Sequence, residues 1–421
     1  MTLRPDIHPF GPLRLEPVRT ATLSNGIPVT YIPDPQCPVL TLALNTTGGE
    51  NEAAVPRMPD LLGQSLRRGT ASHSAEYIAE RIDHSGSALN IAGASHHVGA
   101  TLVLNAQYFD EIAELLRSML QSPTIPEPTF EIDKAMFVAE RRQQLERTRE
   151  RAFDACVARF YGPAHPQGRI PTELQLQGIT RDALLDFHRR HFVADGASIV
   201  LSGNITDSHL ARLDDIFGHD WGGTNAGLTL KAPEPTGLGE VVEVPMPGKR
   251  QSSIVMRAAA PLRSHDDFIP LRIAVTLLGG FMGSRLMQNV REKKGLTYGI
   301  NAYLLGLRDE STVTVVTDCN LERAATVLQE IRHEMEALGT TLASADELER
   351  LRQHMSSALL NLVDTSIARA ALIAKGARDG FGEEYIKRHL EILSGITPEE
   401  IRDVAARYLR PDRFVTAMTT A

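Results

Sequence analysis

Cysteine is scarce: Cys37, Cys156 and Cys319 are the only three in 421 residues. They are odd in number, far apart and free of any Cys-x-x-Cys spacing. That excludes a disulfide framework and a cysteine-built zinc finger, and predicts free, buried thiols in a reducing compartment. Long apolar runs are also missing. The least polar stretch, near Ile273–Gly283, is too short and too rich in glycine to span a membrane. Nor is there an excess of positive charge. Forty-four Lys and Arg against 52 Asp and Glu leave a net charge of −8, whereas non-specific nucleic-acid binding needs a basic surface. The opening residues, MTLRPDIHPFGPLRLEP, are interrupted by Pro5, Pro9 and Pro12 and contain no apolar run of seven. They do not read as a signal peptide. A soluble, cytoplasmic protein is expected, or a periplasmic one if a leader precedes this sequence.

What is present is globular: 42% hydrophobic and 23% charged residues. At about 100–200 residues per domain, the length predicts two to four domains. An internal duplication organises them. Gly178-Ile179-Thr180 opens a segment that runs through Phe187 and Phe192 to Asp195. Gly395-Ile396-Thr397 opens another, through Val404 and Leu409 to Asp412, at an offset of 217 residues. Each predicts a helix capped by its threonine, with acids in the first turn, followed by a polar turn and an apolar strand, Ala197–Leu201 or Phe414–Met418. A second pair agrees at an offset of about 212: strand Thr101–Leu104 before helix Tyr108–Leu120, and strand Thr312–Val316 before helix Leu321–Leu338. A long charged helix is predicted in each half, around Phe130–Cys156 and Ala345–Asp364. One ancestral unit copied once accounts for these offsets, and two copies this long do not make a solenoid.

The boundary is expected in Trp221–Gly239, WGGTNAGLTLKAPEPTGLG, which has linker composition. The expected organisation is therefore residues 1–221, a linker 222–239, and residues 240–421. Each half begins with strands, Thr20–Ile32 (with Asn25-Gly26 as a hairpin turn) and Glu240–Ala259. Strand runs followed by long helices predict α+β halves, each sheet covered by helices on one face.

Three stretches together resemble the pitrilysin/insulysin/mitochondrial processing peptidase family, the inverzincin zinc peptidases. Thr22–Val29, TLSNGIPV, resembles the opening hairpin of that family. Leu62–Thr70, LGQSLRRGT, is similar to the end of its metal-site helix. Gly279–Tyr298, GGFMGSRLMQNVREKKGLTY, resembles its second-half segment without a gap. The resemblance implies two homologous α+β domains, each a mostly antiparallel sheet covered by helices, enclosing a substrate chamber.

The family's metal motif is His-x-x-Glu-His on a helix, with a distant Glu as third ligand. Anchored on Gly69-Thr70, it matches residues 60 to 64, which read Asp60-Leu61-Leu62-Gly63-Gln64. Both histidines and the general base are replaced; the distal position falls on Glu140. One carboxylate cannot hold zinc, and Asp60 and Gln64 are poor substitutes for imidazole. We therefore expect no metal and no cofactor in this chain. His-x-x-Glu-His occurs nowhere else. His188 and His191 are expected to pack or to face solvent, and His96-His97 point to opposite faces of an extended run. No Gly-x-Ser-x-Gly elbow or P-loop occurs, and Gly279-Gly280 lacks the third glycine of a dinucleotide fingerprint. The run Ala139–Arg151 reads as an exposed helix laced by i, i+4 pairs.

Arg291 and Tyr298 match the family's Arg/Tyr pair. The resemblance implies that they reach from the second domain to a substrate held at zinc. Peptide hydrolysis passes through a tetrahedral oxyanion, and a guanidinium and a phenol O–H both donate to such a charge. Gly279, Gly280, Phe281, Met282 and Gly283 are read as a flexible loop before the helix Ser284–Glu292. In the resemblance it is a substrate-touching flap, with Phe281 and Met282 as adaptable apolar contacts. The implied role is that of a non-catalytic subunit. A homologous His-x-x-Glu-His partner brings the zinc, a peptide is the substrate, and this chain brings the Arg/Tyr pair. The alternative is an inactive homolog acting as a homodimeric scaffold or peptide-binding protein. Nucleic acid and membrane are not expected partners.

Overall fold

The computed structural model describes residues 13, 15, 17–225 and 234–421. The readings of the first twelve residues and of the linker core, 226–233, lie outside the described residues. The first half runs β1 (Arg19–Thr22), β2 (Pro28–Pro33), β3 (Val39–Asn45), α1 (Met58–Ser65), α2 (Ala75–His84), β4 (Ala88–Gly93), β5 (Val98–Asn105), α3 (Phe109–Gln121), α4 (Glu127–Leu145), α5 (Thr148–Tyr161), α6 (Glu173–Gln177), α7 (Arg181–His191), β6 (Ser198–Gly203) and α8 (Asp207–Phe217). The second half runs β7 (Val241–Pro245), β8 (Gln251–Ala259), α9 (Phe268–Gly279), a π-helix (Met287–Lys293), β9 (Thr297–Gly306), β10 (Ser311–Asn320), α10 (Ala324–Thr340), α11 (Ala345–Asn361), α12 (Ser366–Asp379), α13 (Glu384–Gly395), α14 (Pro398–Tyr408) and β11 (Val415–Thr420).

The strands form two sheets, ordered β1-β2-β6-β3-β5-β4 and β7-β11-β8-β10-β9. Without β1 the two orders correspond strand for strand. Each has a single parallel pair, β2 with β6 and β7 with β11; the other pairings are antiparallel. In both halves the last strand inserts between two early ones, β6 between β2 and β3, and β11 between β7 and β8. The duplicated segments seen in the sequence are the helix–strand units that make this insertion, α7–β6 and α14–β11. Their starts are set by the predicted caps. Thr180 Oγ accepts the Ala183 N–H at 3.2 Å, and Thr397 Oγ accepts the Glu400 N–H at 3.2 Å while Glu400 reaches back to the Thr397 N–H at 2.8 Å. Such caps satisfy amide donors that the first helical turn leaves unpaired.

Each half has its own apolar core, between its sheet and the helices that follow it. The expectation that only one face of each sheet is covered is corrected. Strands β3 and β8 are buried along almost their whole length, because each half lends a helix to the other's sheet. Helix α5 crosses β8 and β11, placing Ala152, Cys156 and Phe160 against Val255, Val415 and Ala417. Helix α12 lies on β2, β3 and β6, with Ala370 and Ala374 against Ile32, Ala43 and Val200.

The exchange also explains a second correction. The single helix expected around Phe130–Cys156 is two helices, broken where Arg147 is extended (φ −88°, ψ 131°). The break lets α4 stay on the first half while α5 leaves for the second sheet. Consequently the charged run 139–151 is not one exposed face: Arg141 is buried and paired with Asp154 of α5. Among the described residues no single helix is long and apolar enough to cross a membrane.

Candidate functional site

Two places carry the residues singled out by the sequence. The first is the short helix α1. The chain enters it through Arg57, whose backbone is left-handed (φ 67°, ψ 1°). Such a conformation is uncommon for a residue with a Cβ. Asp60 is part-buried, and Gln64 is exposed. Gly63 is pressed onto β4: a Cβ there would stand 2.7 Å from the Ile91 carbonyl oxygen. The position that the sequence resemblance matches to a general base thus has no room for a side chain on this backbone.

Glu140 is exposed on α4 and accepts a hydrogen bond from Gln144 Nε2 at 3.1 Å. Gln144 Oε1 accepts in turn from Arg57 Nη1 at 3.0 Å. Arg57 Nε lies 3.8 Å from Asp60 Oδ2, its guanidinium stands 5.0 Å from the Phe137 ring centroid, and its backbone N–H donates to the Glu50 carboxylate. Burial raises the Asp60 carboxyl above its ordinary range, Arg57 opposes that, and Glu140 adds to it. Glu50 is pushed up to about 7, chiefly by burial. Glu50, Arg57 and Asp60, with Arg141, Asp154 and Arg169, line a cavity of about 330 Å³. Glu50, Arg57 and Arg169 were not singled out in the sequence. They belong to no motif, and nothing local in it shows that Arg57 is left-handed.

This donor set does not fit zinc. It offers a part-buried carboxylate, an exposed amide and an exposed carboxylate, with a guanidinium bonded among them, where zinc takes imidazole, thiolate and carboxylate in tetrahedral array. Among the described residues no group of three or more His, Cys, Asp or Glu side chains is placed to hold a metal ion.

The second place is the segment 279–298. Gly279 is the last residue of α9 and sits against β9, where a Cβ would come within 2.8 Å of the Ala302 backbone nitrogen. Phe281 folds back and stacks on His354 with ring centroids 4.9 Å apart. Gly283 is tight against the Phe281 ring. The segment read as a flexible loop is therefore largely packed, its glycines allowing close approach, and Met282 alone of the five is exposed.

The chain then winds into the π-helix, where the Lys294 N–H reaches back five residues to the Asn289 carbonyl at 3.1 Å. Stretches of π-helix are rare and concentrate at functional sites. Gly295, at φ 58°, turns the chain into β9. Here the ladder with β10 is irregular: Thr297 pairs with Cys319 and Ile300 with Thr317, so Tyr298 and Gly299 together face Asp318. Thr297 Oγ donates to the Asp318 carbonyl at 2.6 Å, and Thr317 Oγ to the Gly299 carbonyl at 2.9 Å, which pins the bulge. A bulge re-aims side chains, and Tyr298 is 91% exposed. Arg291, from the π-helix, donates through Nε to the Tyr298 carbonyl at 3.0 Å and pairs with Glu292. The structure thus joins Arg291 and Tyr298 through the tyrosine's backbone and leaves the phenol free-standing. Beside it is a cavity of about 710 Å³ lined by Tyr298, Asn301, Gln251, Asn320 and the paired Arg149 and Asp318.

The remaining candidates pack. His188 is buried and bonded to the Leu120 carbonyl at 2.8 Å, and His191 is buried beside Gly48. Burial pushes the Cys156 thiol up to about 12 and the Cys319 thiol to about 11, unlike a reactive thiolate.

Two α+β halves, each a five-strand frame closed by its own last strand and backed by a helix from the other, define a class of duplicated two-domain proteins. Residues 178–355 match the family model described as the peptidase M16 inactive domain. The chain is 22% identical to an uncharacterized zinc protease of Bacillus subtilis, YmxG, over 94% of this chain and 96% of that protein. It is likewise 22% identical to an uncharacterized zinc protease of Mycobacterium bovis, over 97% and 94%. In structure it is similar to a peptidase M16 inactive domain from Pseudomonas fluorescens (TM-score 0.86, 18% identity, 96% and 98% covered). It is also similar to a protease from Helicobacter pylori (TM-score 0.87, 16% identity, 97% and 100% covered). Residues 178–355 are thus similar to the M16 peptidase inactive domain, and the chain shares the two-domain fold of these solved structures.

Proposed function

We propose that this chain is the non-catalytic subunit of a two-chain zinc peptidase, with residues 1–221 and 240–421 as its two domains. The zinc belongs to a homologous partner carrying His-x-x-Glu-His. This chain supplies Arg291 and Tyr298 to a peptide held there. One observation carries the reading: a tyrosine that is 91% exposed, held out by a bulge and backed by an arginine bonded to its own carbonyl. An aromatic side chain left in water costs apolar surface, and a phenol and a guanidinium borne by one segment offer two donors for an oxyanion and its neighbouring carbonyl. Met282, exposed before the π-helix, is the adaptable apolar contact of the same face.

The test is purification of the tagged chain from its source cells, with mass spectrometry of what co-elutes. A stoichiometric partner of similar length bearing His-x-x-Glu-His is expected, together with metal-dependent peptide cleavage by the pair and none by either chain's partner-free form. Reproducible recovery of this chain as a homodimer, without such a partner, favours instead the scaffold or peptide-binding reading.

A further inference from the structure

We propose that the Arg57 guanidinium is the resident cation of the site formed by Asp60, Gln144 and Glu140, and that it closes this site to divalent metal. This stands apart from the reading of Arg291 and Tyr298. Relatives of this chain are named zinc proteases, and the residues matched to a zinc motif face one another across α1 and α4. What stands between them here is an arginine. Its Nε is 3.8 Å from Asp60, and its Nη1 donates at 3.0 Å to Gln144, which holds Glu140 at 3.1 Å.

Three further observations fix it there. Arg57 adopts a left-handed backbone, which is kept where the surroundings over-determine it. Its N–H is bound by Glu50, and the Phe137 ring lies under its charged head. Gly93 of β4 abuts Pro59, where a Cβ would stand 2.7 Å from the proline ring, so the entry to α1 cannot swing outward past the strand.

The charge balance agrees. The two motif histidines that would be neutral ligands are an acid and an amide here, and one fixed positive charge between Asp60 and Glu140 replaces an exchangeable divalent one. The other nearby charges are engaged. Arg141 is paired with Asp154, and Arg169 donates to the backbone carbonyls of Glu50 and Asn51 at 3.3 and 3.4 Å. Arg57 is therefore a structural stand-in for a metal, tying α1 to α4.

The test restores the missing histidines around the arginine. Wild type, D60H/Q64H and R57Q/D60H/Q64H are titrated with Zn²⁺ by calorimetry and dialysed for zinc stoichiometry. Wild type and D60H/Q64H are expected to hold no stoichiometric zinc. R57Q/D60H/Q64H is expected to bind one per chain, at least ~10-fold more tightly than the double variant, because a unit charge a few ångströms from a divalent ion repels it by that much or more at an effective dielectric of ~20–80. A double variant that binds zinc as tightly as the triple overturns the proposal, and so does a triple that binds no more tightly than the double. If those variants do not fold, Q64H and R57Q/Q64H, which keep Asp60 and offer one imidazole with two carboxylates, are compared by melting temperature. Zn²⁺ must raise that of R57Q/Q64H by more than that of Q64H; an equal response in both overturns the proposal.

Discussion

The two halves place the same element in the same position and use it differently. In the first, α1 lies between β3 and the edge strand β4; in the second, α9 and the π-helix lie between β8 and the edge strand β9. Both are pressed onto their edge strand through a glycine. Gly63 meets the Ile91 carbonyl oxygen, and Gly279 the Ala302 side chain, each at 2.7 Å from a would-be Cβ. Beyond that shared contact they diverge. The first closes on an arginine bonded among carboxylates and an amide. The second loosens into a π-helix and a bulge, and projects a tyrosine into water. One frame, copied, holds one site closed around an arginine and another that leaves a phenol exposed.

The comparison can be broken most sharply at Tyr298 and Arg291. In the complex with a zinc-bearing partner, Tyr298→Phe and Arg291→Ala are each expected to lower turnover by about 10²–10³-fold, the effect of losing one oxyanion donor. The melting temperature of Tyr298→Phe should barely change, since the side chain is 91% exposed. Unchanged turnover in both variants would remove the role assigned to the pair.

Next in size is Glu50. Its folded pKa, about 7, is raised above the ordinary 4.5 mainly by burial. The ionised carboxylate is thus disfavoured in the folded state. Stability from this group is whole below about pH 4.5 and is lost as pH rises through about 7. Glu50→Gln should flatten that decline, with a gain above pH 7 on the order of 3 kcal/mol in urea denaturation. Parallel curves for wild type and variant would show that Glu50 is not held protonated.

The shared packing device comes third. Gly63→Ala and Gly279→Ala should each destabilise by about 1–3 kcal/mol, the usual cost of forcing a methyl into a filled site. A cost at one position and none at the other, measured by the same denaturation, would undo the equivalence of the two halves.

The smallest expected effect is none. Asp60→Asn, Gln64→Ala and Glu140→Gln should leave turnover of the complex unchanged, because no metal is expected at these positions. A loss of ten-fold or more in any of them would place chemistry in the first half after all.

Much of this was readable in the chain. The threonine caps at Thr180 and Thr397, the hairpin at Asn25-Gly26 and the strands around Thr101 and Thr312 are local signals: a side-chain oxygen three residues before its amide, a glycine at φ 90°, period-two alternation. The exchange of α5 and α12 was not readable. A helix whose small residues face a distant sheet looks, in sequence, like one facing its own. Arg57 was missed for a similar reason: its importance lies in a backbone angle and in partners 7 and 87 residues away, Glu50 and Gln144.

The sequence by itself determined the duplication, the α+β class, the absence of any His-x-x-Glu-His, and the presence of an arginine and a tyrosine seven apart. These are matters of residue type and spacing, which no folding can alter. Only the tertiary structure decided that position 63 has no room for a base, that a guanidinium stands among the carboxylates, and that Tyr298 faces water while Phe281 does not. Those outcomes depend on how closely a helix approaches an edge strand, and a chain carries that distance only in its packed form.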